Sequence, residues 1–173
     1  MDVTRIAVGG DSAGGNIAAT LALLARDADG PRLSLQVLAY PATDFSVEHP
    51  SWAALADQPP LTRARLRWFQ KQYLRDETDR WDWRASPLLA SDLKGVASAF
   101  VATAGFDPLH DEGEAYLERL RAAGVSVRSR HFGGQIHGFI TMGKVVPEAI
   151  ILIGEIAAAL DWAFQDAADK TPT

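Results

Sequence analysis

The sequence predicts an α/β fold in which a mainly parallel sheet of about four strands is flanked by helices. Short apolar runs alternate along the chain with longer stretches of helical periodicity, and glycine or proline closes most runs. The runs show little strict alternation, which is typical of parallel strands covered on both faces. The length suits one hydrophobic core, so we expect a single domain over residues 1–173.

The predicted strands cover residues 6–8, 33–40, 99–104 and 125–131. Only the last of these runs alternates cleanly between apolar and polar residues. We therefore expect that strand to lie at an edge of the sheet, with one face in contact with water.

Three helices are predicted to pack on this sheet, over residues 14–27, over 112–123 and from near Pro147 onward. The middle helix should begin with Asp111 as its N-cap and end at Gly124. The apolar side of the first helix is predicted to contain Ile17, Leu21 and Leu24 with nearby alanines. The stripe of the last helix that is expected to face the sheet contains Leu152, Ile153, Ile156, Leu160, Ala163 and Phe164.

Residues 44–85 form a long insertion that is rich in aromatic side chains. Within it, a helix is predicted from Thr62 as N-cap to about Leu74. Insertions of this length are often functional, so we interpret it as a helical cap over a site. The aromatic residues expected to contact substrate are Trp52, Trp68 and Phe69, together with Phe139 further along the chain. Alternatively, the aromatic residues of the insertion form its own small core.

Composition excludes several classes of function. The net charge is -5 and no basic run is present, so nucleic acid is not an expected partner. The absence of cysteine excludes disulfides and thiol catalysis. The longest apolar stretch, residues 149–160, is too short to cross a bilayer, and no signal pattern is evident. We expect no cofactor, no transmembrane segment and a cytoplasmic location.

A candidate nucleophile, Ser12, lies in a glycine-rich turn between the first strand and the first helix. Such an elbow lifts the serine hydroxyl clear of the sheet, and the Ala13 N–H would then face a developing oxyanion. We expect the turn to need glycine because a β-carbon would strike a neighbouring element. The residues that form and support the elbow are Gly10, Asp11, Gly14 and Gly15. An ordinary βα turn remains the alternative, whereas the spacing does not fit a phosphate-binding loop.

His137 and Asp107 are the candidate base and orienting carboxylate for this serine. Asp107 follows one predicted strand and His137 follows the next, so both should reach the edge of the sheet where Ser12 lies. A surface histidine and a plain Asp-Pro turn are the alternatives. Residues 107–111 could also be metal ligands, but the sequence has no second ligand cluster such as H-E-x-x-H, so no metal site is predicted.

Five motifs together resemble the hormone-sensitive-lipase-like esterases of the α/β-hydrolase superfamily. They are Gly-Asp-Ser-Ala-Gly-Gly-Asn at 10–16, Tyr-Pro-x-x-Asp at 40–44, Ser-Pro-Leu at 86–88, Asp-Pro-Leu-x-Asp-Glu at 107–112 and His-Gly-Phe at 137–139. The resemblance covers residues 2 to about 165. It implies an α/β-hydrolase fold and a carboxylic-ester hydrolase acting on small to medium apolar acyl esters. It also implies Ser12 as nucleophile, His137 as base and Asp107 as its orienting group.

The same family carries an amino-terminal half with a His-Gly-Gly-Gly loop that supplies oxyanion-hole donors, and this sequence lacks it. The nearest similar stretch, residues 131–134, is expected on the wrong side of the site. The resemblance therefore implies a partial fold, impaired catalysis and a bare sheet edge at residues 6–8 through which chains could self-associate. A non-catalytic binding module and an inactive fragment remain alternatives.

Overall fold

A computed structural model describes residues 5–28 and 30–169, with side chains described as far as residue 165. Within these ranges the protein has one four-stranded sheet, in the order β1-β2-β3-β4, and every neighbouring pair is parallel. The strands are β1 (Ile6–Asp11), β2 (Leu33–Ala39), β3 (Ser98–Phe106) and β4 (Val127–Ile136). The predicted α/β fold and strand number are therefore confirmed.

Five α-helices connect or follow these strands in the described part of the chain. They are α1 (Ala13–Asp27), α2 (Pro50–Ala54), α3 (Arg63–Tyr73), α4 (His110–Ala122) and α5 (Pro147–Asp169). Short 3-10 helices lie at Glu77–Trp81, Pro87–Leu89 and Phe139–Met142. None of the described helices is long and apolar enough to cross a membrane.

The helices cover both faces of the sheet. Helix α5 packs on one face, where Phe100 and Ala102 of β3 are buried, and α1 and α4 pack on the other, where Ala99 and Val101 are buried. The two central strands are buried on both sides. This explains why their sequences are apolar without alternation.

The last strand is an edge strand, as predicted, but it is longer than predicted. It continues past His131 to Ile136, so residues 131–134 lie within a strand. The register shifts between Ala104 and Phe106, where Gly105 lies against the backbone of Gly133. A Cβ at Gly105 would lie 2.9 Å from the Gly133 Cα, so only glycine allows this close approach.

The predicted apolar side of α1 is wrong for its larger residues, whereas its alanines do pack on the sheet. Ile17, Leu21 and Leu24 are exposed, whereas the face toward the sheet is built mainly from alanine, with Leu23. Small side chains let the helix axis approach the strands closely, so the alanine face is selected although the other face is more hydrophobic.

Two further predictions about helices are corrected. Ile153 of α5 is exposed, while Leu152 and Ala163 pack against the sheet. Asp111 is not the N-cap of α4, because the helix begins at His110 and the Asp111 carboxylate accepts the Ser51 N–H at 2.8 Å.

The insertion at residues 44–85 contains α2, α3 and a 3-10 helix. The Thr62 hydroxyl accepts the Arg65 N–H at the start of α3, so the predicted N-cap is confirmed. A separate small core forms here, in which Trp52 packs with leucines of the insertion and with Leu109. For Trp52 this arrangement fits the alternative of a separate core. Other aromatic residues of the insertion are exposed, namely Trp68, Phe69, Tyr73 and Trp81.

Candidate active site

Ser12 lies at a sharp turn immediately after β1 and immediately before α1. Its φ of 54° is in the left-handed region, which is costly for a residue with a side chain. Backbone hydrogen bonds hold it there: the Ser12 N–H donates to the Ala39 carbonyl at 2.9 Å, and the Ser12 carbonyl accepts from Asn16 N–H at 3.1 Å. The strain is therefore maintained by the sheet and the helix together.

The glycines of the elbow have different steric roles. A Cβ at Gly10 would lie 2.6 Å from the Gly14 carbonyl oxygen, and a Cβ at Gly15 would lie 2.8 Å from Pro41 Cβ. Both positions therefore need glycine. The expected steric need is wrong for Gly14, where a Cβ would meet nothing within 4 Å.

The structure brings Ser12, Asp107 and His137 into contact. His137 Nε2 is 2.9 Å from Ser12 Oγ, and His137 Nδ1 is 2.7 Å from Asp107 Oδ2. Each of the three residues directly follows the last residue of a strand, namely β1, β3 and β4. Because carboxyl ends of parallel strands share one edge of a sheet, residues far apart in sequence meet there.

Burial and backbone contacts fix the carboxylate. Asp107 is fully buried, and its Oδ1 accepts the Leu109 N–H at 2.8 Å while Oδ2 faces the imidazole. His137 is only 8% exposed. The arrangement can hold the proton on Nδ1 and leave Nε2 free to accept the serine proton.

Tyr40 supports the imidazole from the side. Its ring meets the His137 ring edge-on at a centroid distance of 4.9 Å. The Tyr40 ring also packs against the Phe139 ring, at a centroid distance of 5.7 Å. Burial, together with the negative charge of Asp11, raises the pKa of the Tyr40 hydroxyl, so the residue stays neutral. The Tyr40 backbone has a φ of 36°, another left-handed residue directly beside the site.

Two buried polar residues, for which the sequence predicted no role, connect the site to the insertion. Asn16 donates through Nδ2 to the Ala42 and Ala85 carbonyls, at 2.8 and 2.7 Å. Glu112 is fully buried and accepts the Thr43 N–H at 2.8 Å and the Trp52 indole N–H at 3.1 Å. Burial raises the pKa of Glu112 to about 8. Asn16 lies in the motif at 10–16 and Glu112 in the motif at 107–112, so these motifs could have pointed to both residues.

The residues predicted to contact substrate are not gathered at one place. Trp52 and Phe139 are buried, whereas Trp68 and Phe69 are about half exposed and pack edge-on against each other at 5.2 Å. A cavity of about 390 Å³ in the insertion is lined by Trp52, with Phe45, Arg67 and Lys71 among the others. Neither Ser12, Asp107 nor His137 lines it.

The three residues meet in the chain order serine, carboxylate, imidazole, and the serine lies on a strand-to-helix elbow. This combination is typical of the α/β-hydrolase class of site. The profile of a family described as alpha/beta hydrolase fold matches residues 1–141. The chain belongs to this family, and its carboxylesterase relatives place it among the hormone-sensitive-lipase-like members.

Several of the relatives and solved structures that the chain resembles are named as esterases or ester hydrolases. It is 46% identical over 161 residues to carboxylic ester hydrolase LipN of Mycobacterium tuberculosis, covering 90% of this chain and 43% of LipN. It is 41% identical over 152 residues to ethyl acetate hydrolase of Pseudomonas putida, covering 86% and 47%. The ester-hydrolase EH1AB1 from the metagenome of Lake Arreo superposes with a TM-score of 0.90 at 43% identity, over 95% of this chain and 52% of that one. The chain thus spans about half the length of the relatives it matches.

Proposed function

We propose that this chain carries the catalytic residues of a serine carboxylesterase. The observation that supports the proposal best is the single imidazole of His137 in hydrogen-bond contact with both the Ser12 hydroxyl and the Asp107 carboxylate. Neither contact needs rearrangement before a proton can move. The carboxylic ester hydrolases among its relatives favour this chemistry over a non-catalytic binding module.

The proposed reaction proceeds through an acyl-enzyme. His137 Nε2 takes the Ser12 hydroxyl proton while Oγ attacks the ester carbonyl, and Asp107 stabilises the resulting imidazolium. The Ala13 N–H, at the start of α1, is the proposed donor to the oxyanion. His137 then protonates the departing alcohol. Water, activated by the same nitrogen, releases the acid and restores Ser12.

We propose small to medium apolar acyl esters as substrates. A relative named ethyl acetate hydrolase acts, by its name, on a short ester. The exposed pair of Trp68 and Phe69 offers an apolar surface on the insertion, and Trp52 lines the cavity of the insertion. The contact of these side chains, and of Phe139, with substrate stays a prediction.

The proposal is tested by hydrolysis of p-nitrophenyl acetate and butyrate, together with fluorophosphonate labelling read by intact mass. We expect one added phosphonyl group on Ser12, and loss of both labelling and hydrolysis in Ser12→Ala. The matched control is Ser129→Ala, which removes an exposed serine on β4. Equal hydrolysis or labelling in Ser12→Ala, with circular dichroism unchanged, would refute the proposal.

A further inference from the structure

A second group of reactive side chains lies outside the Ser12 site. His110 is in the first turn of α4, Glu114 is one turn later on the same face, and His131 is on the adjacent edge strand β4. One ligand atom from each residue lies within 4.8 Å of the others. The two imidazole rings are 5.1 Å apart between centroids.

Thr103 of β3 orients two of these three groups. Its hydroxyl donates to Glu114 Oε1 at 2.6 Å and lies 2.9 Å from His131 Nδ1. A hydroxyl has a single proton, so Thr103 must accept the second hydrogen bond from a protonated Nδ1. This tautomer leaves a lone pair on His131 Nε2. Proteins use such outer hydrogen bonds to orient histidines that ligate metals.

His110 adds a second observation, a buried ring nitrogen that lacks a partner in the described part of the chain. Its Nδ1 is buried and has no hydrogen-bond partner among the described residues. Buried polar nitrogens are normally paired, so an unpaired one needs an explanation. A metal ion would accept the lone pair of this nitrogen. Two neutral imidazoles with the Glu114 carboxylate also give the single negative charge that partly balances a dication.

We propose that His110, Glu114 and His131 bind a divalent transition metal, with Zn²⁺ as the best match, and that water completes the coordination. Two imidazole nitrogens and one carboxylate oxygen form a donor set typical of zinc, whereas Mg²⁺ and Ca²⁺ prefer oxygen ligands alone. Tetrahedral zinc requires its ligand atoms to be roughly 3.4 Å apart. Small side-chain rotations achieve this, because His131 is exposed at the sheet edge.

The site is distinct from the Ser12 centre, although the two are connected. The backbone N–H of His110 donates to the backbone carbonyl of Asp107 at 3.0 Å. The buried carboxylate of the Ser12 site therefore lies just before the helix that carries two of the proposed metal ligands. Metal binding is therefore expected to stabilise α4 against β4. The reaction proposed for Ser12 does not require it.

The test uses the full chain after treatment with a chelator. Zn²⁺ binding is measured by calorimetry, Co²⁺ binding by its visible ligand-field absorption, and Mg²⁺ serves as the comparison cation. We expect saturable binding of one Zn²⁺ or Co²⁺ per chain and none of Mg²⁺. Glu114→Gln and His131→Ala should each weaken binding about tenfold or more, and Thr103→Val should weaken it about tenfold. The matched control Glu118→Gln, one turn further along α4, should bind as the unaltered chain does.

Three results would overturn the proposal. One is the absence of saturable Zn²⁺ or Co²⁺ binding. Another is unchanged binding in both Glu114→Gln and His131→Ala, with folding verified by circular dichroism. The third is binding that is lost in His137→Asn but kept in His131→Ala, which would assign the metal to the imidazole of the Ser12 site.

Discussion

At the scale of single residues, the proposed mechanism depends on the Asp107 carboxylate, which would let His137 act as a base. It is fully buried and its Oδ2 contacts Nδ1, so it fixes both the tautomer and the ring orientation. We expect Asp107→Asn to lower kcat for p-nitrophenyl acetate by about 10⁴. Asp111→Asn is the control, because it removes a carboxylate four residues away that contacts Ser51 instead. Similar kcat values for the two variants would contradict this role.

Glu112 gives a pH-dependent prediction. Its pKa rises from 4.5 to about 8 on folding, so between these values the folded protein holds a proton that the unfolded chain releases. The stability from this group is complete below about pH 4.5 and declines as the pH rises through about 8. A glutamine side chain does not titrate, and its amide NH₂ would face the Trp52 N–H, which is also a donor. We expect Glu112→Gln to cost about 1–3 kcal/mol at acid pH.

Urea unfolding over that pH range measures the effect. The stability advantage of the unaltered chain over Glu112→Gln should shrink as the pH rises. A difference that stays constant or grows with pH would show that Glu112 is not held protonated. Titration of the other groups is common to both chains and cancels in the comparison.

The residues that meet at Ser12 could be predicted to lie together, because each follows a run that reads as a parallel strand. The residues that support them could not be predicted in the same way. Glu112 contacts backbone atoms 69 and 68 residues away, at Thr43 and Asp44, and periodicity gives no information about such pairings. Likewise only His110 and Glu114 of the metal-type cluster share a local spacing, because His131 is far from both in sequence.

At the scale of elements, α1 shows what helical periodicity cannot decide. The helix has two apolar faces, one with Ile17 and Leu21 and one with Ala18 and Ala22. Hydrophobicity favours the first, but the short distance between α1 and the strands favours the second. The existence of the helix was therefore predictable. Which of its faces turns toward the sheet was not, because that depends on how closely α1 packs against the strands.

The elbow between β1 and α1 offers a matched pair of glycine substitutions. Gly10→Ala would drive a methyl group into the backbone of α1, which cannot move without breaking the turn. We expect it to destabilise the chain by about 3 kcal/mol or more. Gly14→Ala meets open space within a helix and should be neutral or stabilise by up to about 1 kcal/mol. Urea denaturation compares them, and equal losses would refute the steric assignment.

At the scale of the whole molecule, two of the apolar surfaces that are left uncovered in the described part of the chain lie at α1 and β1. One is the face of α1 that carries Ile17 and Leu21. The other is a groove of about 370 Å³ beside the edge strand β1, where Ala7, Val37 and Ile156 are among the lining residues. An edge strand beside an apolar groove is a template for pairing with another chain.

These surfaces predict that the chain self-associates. Light scattering should give a mass that rises with concentration up to tens of micromolar, because association buries the apolar surfaces of α1 and β1. Leu21→Glu should reduce the association by placing a charge on the uncovered face of α1. The control Gln58→Glu adds the same charge to an exposed turn between α2 and α3, and it should leave the mass unchanged. A monodisperse monomer throughout this range would exclude association through either surface. A concentration-dependent mass that Leu21→Glu does not alter would exclude the α1 face as the contact, because a buried carboxylate there would weaken the association.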